Sequence, residues 1–425
     1  MRAIINPGII QGQITAPPSK SMAQRAYAAA LLHNGKTIIR NAGSSHDEIA
    51  SLKVILQLGA KILSQSEGII EIESKGIVPQ SAVINCGESG LAARLFTPIA
   101  ALTGKPITIT GSGSLLKRPM EGFSAVCQAL GIALTSFNGC LPATIQGPIE
   151  NVSIKVDASA GSQLLSGLLF ALSYAPPVPI TIEVTALKSK PYINMTLEIL
   201  KAAGKPIVHD NYITFYIDPA LFIDIPILDI NIEGDWSGAA NLLVAGAISG
   251  GIIINNLQRN SLQADNAIIK VLQQAGAIIN SNEDSVEIQT SPLRSFEFDA
   301  THCPDLFPIL AILASCCEGE SYVHGVHRLF NKESNRAESI SEMLQNFDIP
   351  FSLEDDSFCI TGCKNLQGTI IDTYNDHRIA MAAAVGALRA NGPVDIINAE
   401  AVNKSYPGFF NDLLLCKVDC RQLDS

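Results

Sequence analysis

Ser237-Gly238-Ala239-Ala240-Asn241-Leu242-Leu243-Val244-Ala245-Gly246-Ala247-Ile248-Ser249, followed by Gly250-Gly251-Ile252-Ile253-Ile254, decides the fold of this chain. A polar start leads into a helix that is apolar almost all round, a glycine turn closes it, and an apolar strand follows. The run from Ala239 to Ile254 resembles a membrane span, but Asn241 and Gly250-Gly251 interrupt it and it is short for a crossing. Five other segments have the same form. Their helices begin near Ser21, Gly90, Ser162, Asp305 and Asp376, and their turns fall at Gly35, Gly104, Pro177, Gly319 and Gly392. With Gly250, these turns are spaced 69, 73, 73, 69 and 73 residues apart. Such a period identifies an internal repeat before any propensity argument is needed.

A second helix interleaves at the same period. Leu52–Leu58, Phe123–Leu130, Thr196–Lys201, Ile268–Gln274 and Ile340–Gln345 stop at Gly59, Gly131, Gly204, Gly276 and Asp348, spaced 72, 73, 72 and 72. Alternating apolar residues such as Ile69-Ile70-Glu71-Ile72 then read as strands. The unit is therefore βαβαββ, close to 72 residues long. Five copies are complete, and the sixth is split. Its second helix is Phe409–Leu415, and its missing strands are expected in the N-terminal segment Ala3–Thr15. The fold class is α/β (α+β): two domains of three repeats, with the polypeptide crossing between them near Pro18 and Glu233. The domains comprise residues 1–18 with 233–425, and 19–232.

Composition sets further bounds. The 425 residues are 47% apolar and 16% charged, which suits large buried cores. A net charge of −11 argues against a general nucleic-acid binder, whose affinity rests on clustered cations. The N-terminal isoleucines Ile4, Ile5, Ile9 and Ile10 read as strand residues rather than a targeting peptide. Ten scattered cysteines form no paired C-x2-C ligand motifs and read as free, buried thiols.

The chemistry gathers at the repeat starts. Exposed N–H groups and the positive dipole end of a helix attract anions. Cations accompany several of these starts: Lys20 and Arg25 with Ser21, Arg94 after Glu88-Ser89-Gly90-Leu91, Arg118 in Lys117-Arg118-Pro119, and Arg378 in Asp376-His377-Arg378. Lys332-Glu333-Ser334-Asn335-Arg336 and Lys404 add more, while Ser162-Gln163 and Ser189-Lys190-Pro191-Tyr192 supply polar groups. Each could be an ordinary cap or a solvated surface charge, and Asp305 could simply cap its helix. Their shared repeat phase favours a pocket for a phosphorylated substrate.

Taken in order, these motifs resemble those of the EPSP synthase family of enolpyruvyl transferases over essentially the whole chain. Glu233-Gly234-Asp235-Trp236-Ser237, Arg259-Asn260-Ser261, Pro304-Asp305 and Thr373-Tyr374-Asn375 complete the set. The resemblance implies two inside-out domains, with buried parallel helices, outer sheets and an active site in the cleft between them. It implies transfer of the enolpyruvyl group of phosphoenolpyruvate to the 5-hydroxyl of shikimate 3-phosphate, releasing phosphate, on the route to chorismate and the aromatic amino acids. The implied enzyme is a cytoplasmic monomer with no cofactor and no metal. Lys20, Ser21, Arg25, Ser162, Gln163, Ser189, Asp305 and Lys332 would hold shikimate 3-phosphate. Lys20, Gly90, Arg118, Gln163, Arg336, Arg378 and Lys404 would hold phosphoenolpyruvate. Asp305, Glu333 and Lys20 are the candidates for proton transfer, their individual steps left open.

The chain departs from the family pattern at Glu88-Ser89-Gly90-Leu91, at Gly161 where a serine is common, and at Asn335 where aspartate is usual. The related UDP-N-acetylglucosamine enolpyruvyl transferases carry a catalytic cysteine in the loop matching Ser114–Pro119, which has none here. A catalytically silent anion-binding protein on the same scaffold is the reading from another class. Retention of Lys20, Asp305, Glu333 and Lys404 together opposes it.

Overall fold

The computed structural model describes residues 1–423 except 121, 151–152, 176–177 and 331, so the turn expected at Pro177 lies outside the described residues. The chain divides into two compact units, Met1–Ser19 with Glu233–Ser425, and Lys20–Ile232. Ser19 belongs with the first unit, where its N–H bonds to Glu233 O at 2.8 Å.

Among the described residues, six four-stranded sheets share one plan: two parallel strands, then an antiparallel pair beside the second of them, which is a hairpin except in the sheet that joins the two termini. In Lys20–Ile232 the helices are α1 (Lys20–Leu32), α2 (His46–Gln57), α3 (Gly90–Ala100), α4 (Phe123–Leu130), α5 (Gln163–Leu172) and α6 (Lys190–Ala202). The other unit holds α7 (Trp236–Ser249), α8 (Ile268–Gln274), α9 (Phe307–Ser315), α10 (Arg336–Asn346), α11 (His377–Ala387) and α12 (Phe409–Leu415). The first helix of each repeat is buried on nearly every side, and α3 packs on α5 as α11 packs on α9. Strands such as Ser153–Asp157 alternate exposed and buried residues, so the sheets cover the helices with one face and meet water with the other. The first helices form the centre because they are the elements without a polar face, whereas second helices such as α6 keep one side exposed.

Local chemistry sets the ends of these helices. Ser45 and Glu48 form a reciprocal capping box at the start of α2. Asp348, with φ near +58°, ends α10 in the left-handed conformation that glycine provides at Gly131 after α4.

The termini follow a different route from the one expected. Arg2–Ile5 does complete the sixth sheet, lying between Val394–Ile397 and Cys420–Leu423. The second N-terminal strand, Gln11–Thr15, instead runs parallel to Gly251–Asn255 in the fourth sheet, and Ile9 and Ile10 lie outside strands. Ile227–Asn231 correspondingly runs parallel to Asn34–Arg40 in the first sheet. The two repeats at the crossings have thus exchanged their first strands. An edge strand contributes the same ladder whichever segment supplies it, so sequence periodicity leaves the exchange invisible.

The crossing segments are fastened together. Pro18 and Gly234 form an antiparallel bridge, and Asp235 N–H bonds to Pro17 O at 2.7 Å. Gln263 accepts from Ser19 Oγ and the Trp236 N–H, each at 3.1 Å. Its amide nitrogen donates to Glu233 Oε1 at 2.9 Å and to Gly234 O at 2.7 Å. Among the described residues no helix is long and apolar enough to cross a membrane. All ten cysteines are free; Cys140, Cys316, Cys359 and Cys363 are only half-buried, against the expectation of uniform burial.

Candidate active site

In the Lys20–Ile232 unit, α1 carries Lys20, Ser21 and Arg25 within its first two turns. Arg25 is buried, and its guanidinium donates from Nε to Thr196 Oγ1 at 2.9 Å, from Nη1 to Ser21 O at 2.7 Å and from Nη2 to Tyr192 O at 3.1 Å. None of these partners is a carboxylate. Burial pushes the guanidinium down to about 10, with the Tyr192 hydroxyl acting weakly the other way. A cation held by neutral oxygens, without a counter-charge, is suited to receive an anion. Lys20, by contrast, is paired with Asp47 Oδ2 at 2.9 Å, a partner absent from the sequence expectations.

The starts of α3 and α5 come together. Arg94 Nη1 lies 3.2 Å from Gly90 O and 3.5 Å from Gln163 Oε1. A methyl group on Gly90 would stand 2.9 Å from Arg118 Nη1 and 3.1 Å from Arg94 Nη1, so the absence of a side chain lets two guanidinium groups approach the helix start. Ser89 caps α3 by accepting from Ala92 N–H, and its hydroxyl donates to Gln24. That side chain of the divergent loop is therefore committed to structure. Ser162 precedes α5 without a capping bond, and Ser189 precedes α6 in a left-handed conformation at φ +56°. Gly161 has φ +138°, a conformation that a serine there would rarely adopt.

The other unit collects the carboxylates. Arg336 donates from Nη1 to Asp305 Oδ1 at 2.7 Å, from Nη2 to Glu333 Oε2 at 2.7 Å and from Nε to Asp376 Oδ2 at 2.8 Å. Arg378 Nη2 lies 3.4 Å from Asp305 Oδ2, and Lys332 Nζ lies 3.5 Å from Asp305 Oδ1. Asp305 sits in the 3-10 turn Pro304–Leu306 that leads into α9, one residue before the N-cap position held by Leu306. Burial raises its pKa, but Lys332, Arg336 and Arg378 outweigh burial and hold it well below the usual carboxylate range. Burial, aided by Arg336, pushes Lys332 down to about 8 against the pull of Asp305. Lys404 is buried and donates to Asn375 O at 2.6 Å.

Two members of these clusters were missed as site candidates in the sequence. Asp376, named only within its motif, caps α11 and anchors Arg336. Asp265 is buried, accepts a hydrogen bond from Ser237 Oγ, and feels both Asp305 and Arg378. Its position in the otherwise unremarked run Leu262-Gln263-Ala264-Asp265 offered no charge pattern to find it by.

Fold and clusters together define an α/β repeat protein that gathers cations and carboxylates at its helix starts. The EPSP synthase (3-phosphoshikimate 1-carboxyvinyltransferase) family model matches residues 5–413. The chain is 32% identical over 431 residues to the 3-phosphoshikimate 1-carboxyvinyltransferase of Methanocorpusculum labreanum, covering 99% of this chain and 100% of that relative. It is 35% identical over 404 residues to that of Thermococcus kodakarensis, covering 95% and 97%. A solved structure of EPSP synthase from Acinetobacter baumannii shares the fold at a TM-score of 0.81 and 24% identity, covering 99% of this chain and 100% of that one. The chain belongs to the EPSP synthase family. It is a transferase of the shikimate pathway, moving the enolpyruvyl group of phosphoenolpyruvate to shikimate 3-phosphate.

Proposed function

We propose that Lys20, Ser21, Arg25, Ser162, Gln163, Ser189, Asp305 and Lys332 hold shikimate 3-phosphate, and that Lys20, Gly90, Arg118, Gln163, Arg336, Arg378 and Lys404 hold phosphoenolpyruvate. The observation that carries this reading is the contrast between two buried guanidinium groups. Arg25 has neutral partners only and is left with charge for a phosphate. Arg336 is bound by three carboxylates and keeps Asp305 ionised beside it.

Asp305 in that state is a weak base, because three cations stabilise its anion. Substrate anions that engage Lys332, Arg336 and Arg378 draw those cations away from the carboxylate and make it more basic. Asp305 then takes the proton of the acceptor's 5-hydroxyl as that oxygen bonds to the donor's C2. Glu333 and Lys20 serve the methylene carbon. It gains a proton in the addition step and loses one as the C2–O bond to phosphate breaks and the double bond re-forms. The same reading takes the protein as a cytoplasmic monomer.

The test is phosphate release by purified protein given phosphoenolpyruvate with either acceptor. Release is expected with shikimate 3-phosphate and unaffected by a chelator. Turnover with UDP-N-acetylglucosamine alone would move the chain to the related acceptor class, and no release with either would return it to a silent anion binder.

A further inference from the structure

Asp265 has no part in the chemistry above, yet it occupies a costly position. It lies in the 3-10 turn Ala264–Ala267 and is 1% exposed. Oδ2 accepts from Ser237 Oγ, whereas Oδ1 is buried with no hydrogen-bond partner. The charged and titratable groups facing it are Asp235 at the start of α7, Cys303 and Asp305 before α9, and Arg378 on α11. Arg378 is unevenly served. Nη2 reaches Asp305, while Nε and Nη1 are buried with no hydrogen-bond partner. Its guanidinium therefore sits among Asp235, Asp265 and Asp305 without being fully bound by them.

Each ionised carboxylate beside the Arg378 guanidinium weakens its pull on an approaching anion. A protonated Asp265 removes one of those charges without moving an atom. Burial, then Asp305, pushes this carboxyl up to about 7, so it changes charge within the working pH range. The arrival of an anion at Arg378 brings further negative charge towards Asp265 and favours its neutral form.

We propose that Asp265 is a positioning residue for the donor: it takes up a proton as phosphoenolpyruvate binds, which leaves the Arg378 guanidinium to the donor anion. This rests on the assignment of Arg378 to the donor. The linkage runs in one direction, since a site that binds donor with a proton loses affinity as pH rises above the midpoint of the carboxyl.

The test is the donor KM at saturating shikimate 3-phosphate between pH 6 and 9, taken as a ratio between proteins so that ionisation of phosphoenolpyruvate cancels. In the parent protein the KM should climb above about pH 7 by up to about tenfold per pH unit. Asp265→Asn keeps the shape and an oxygen for Ser237, and should lack that climb. Ser237→Ala removes the hydroxyl that favours the ionised form, so the climb should begin at higher pH. Parallel profiles for the parent and Asp265→Asn would overturn the proposal, because a structural role alone scales KM equally at every pH. Should Asp265→Asn not fold, an unshifted Ser237→Ala profile overturns it instead. Arg378→Lys separates the underlying assignment. A KM unchanged at all pH values removes Arg378 from the donor site, whereas a raised KM with parallel Asp265 profiles removes only the role of Asp265.

Discussion

Asp305 shows how far a single residue departs from its sequence setting. Beside a proline and ahead of an apolar helix it reads as a cap, worth about 1 kcal/mol. In the structure it lies within reach of Arg336, Arg378 and Lys332. Asp305→Asn keeps the size and one acceptor oxygen, and Arg336 retains Glu333 and Asp376, so the fold should persist. Turnover is expected to fall about 10²–10⁴-fold, the usual reach of general acid–base assistance. Steady-state kinetics beside a thermal melt check this, and near-normal turnover in a folded variant would leave Asp305 as a counter-ion only. Arg25 makes the complementary point. Its helix start was legible in Ser21 and Arg25 four residues apart, but its neutral partners Thr196 and Tyr192 come from a repeat far along the chain.

Among the elements, the exchanged strands matter most. Gln13 and Ile14 could pair with either of two similar parallel strands, and the choice is fixed where the chain leaves them. Gln263 makes that choice specific by binding Ser19, Glu233, Gly234 and Trp236 at once. Gln263→Leu fills the space and leaves the Glu233 carboxylate its Ser261 hydroxyl, but it removes the side-chain partner of the Gly234 carbonyl and of the Trp236 main-chain N–H. Each orphaned group costs about 1–3 kcal/mol, so a loss of about 2–4 kcal/mol is expected. In a domain of this size that lowers the melting temperature by about 5–15 °C. An unchanged melting temperature would show that the main-chain bonds of Ser19 to Glu233 and of Asp235 to Pro17 hold the crossing without Gln263.

The whole molecule inherits an asymmetry from that exchange. Lys20–Ile232 contains every strand of its three sheets, whereas the other unit needs Arg2–Ile5 and Gln11–Thr15 from the far end of the chain. Deleting residues 1–15 should therefore unfold one unit and spare the other. The sole tryptophan, Trp236, is 2% exposed at the start of α7 and reports on the vulnerable unit alone. In the truncated protein its emission should be red-shifted without denaturant, while far-ultraviolet circular dichroism keeps a cooperative urea transition. A buried tryptophan that unfolds cooperatively would contradict this account of the asymmetry.

The repeat, the six buried helices and the residue types gathered at the helix starts are all legible in the amino-acid order. These are properties of short windows, written in apolar periodicity and glycine placement. The N-terminal strand in the sixth sheet was legible too, because one repeat lacked its strands. Folding sets which parallel strand each crossing segment joins, that Asp305 and Asp376 face Arg336, that Lys20 meets Asp47, and that Asp265 is buried near Arg378. Those depend on distances between residues separated by tens to hundreds of positions. Charge and pKa at such sites follow from burial and from neighbours brought in by folding, which no local pattern records.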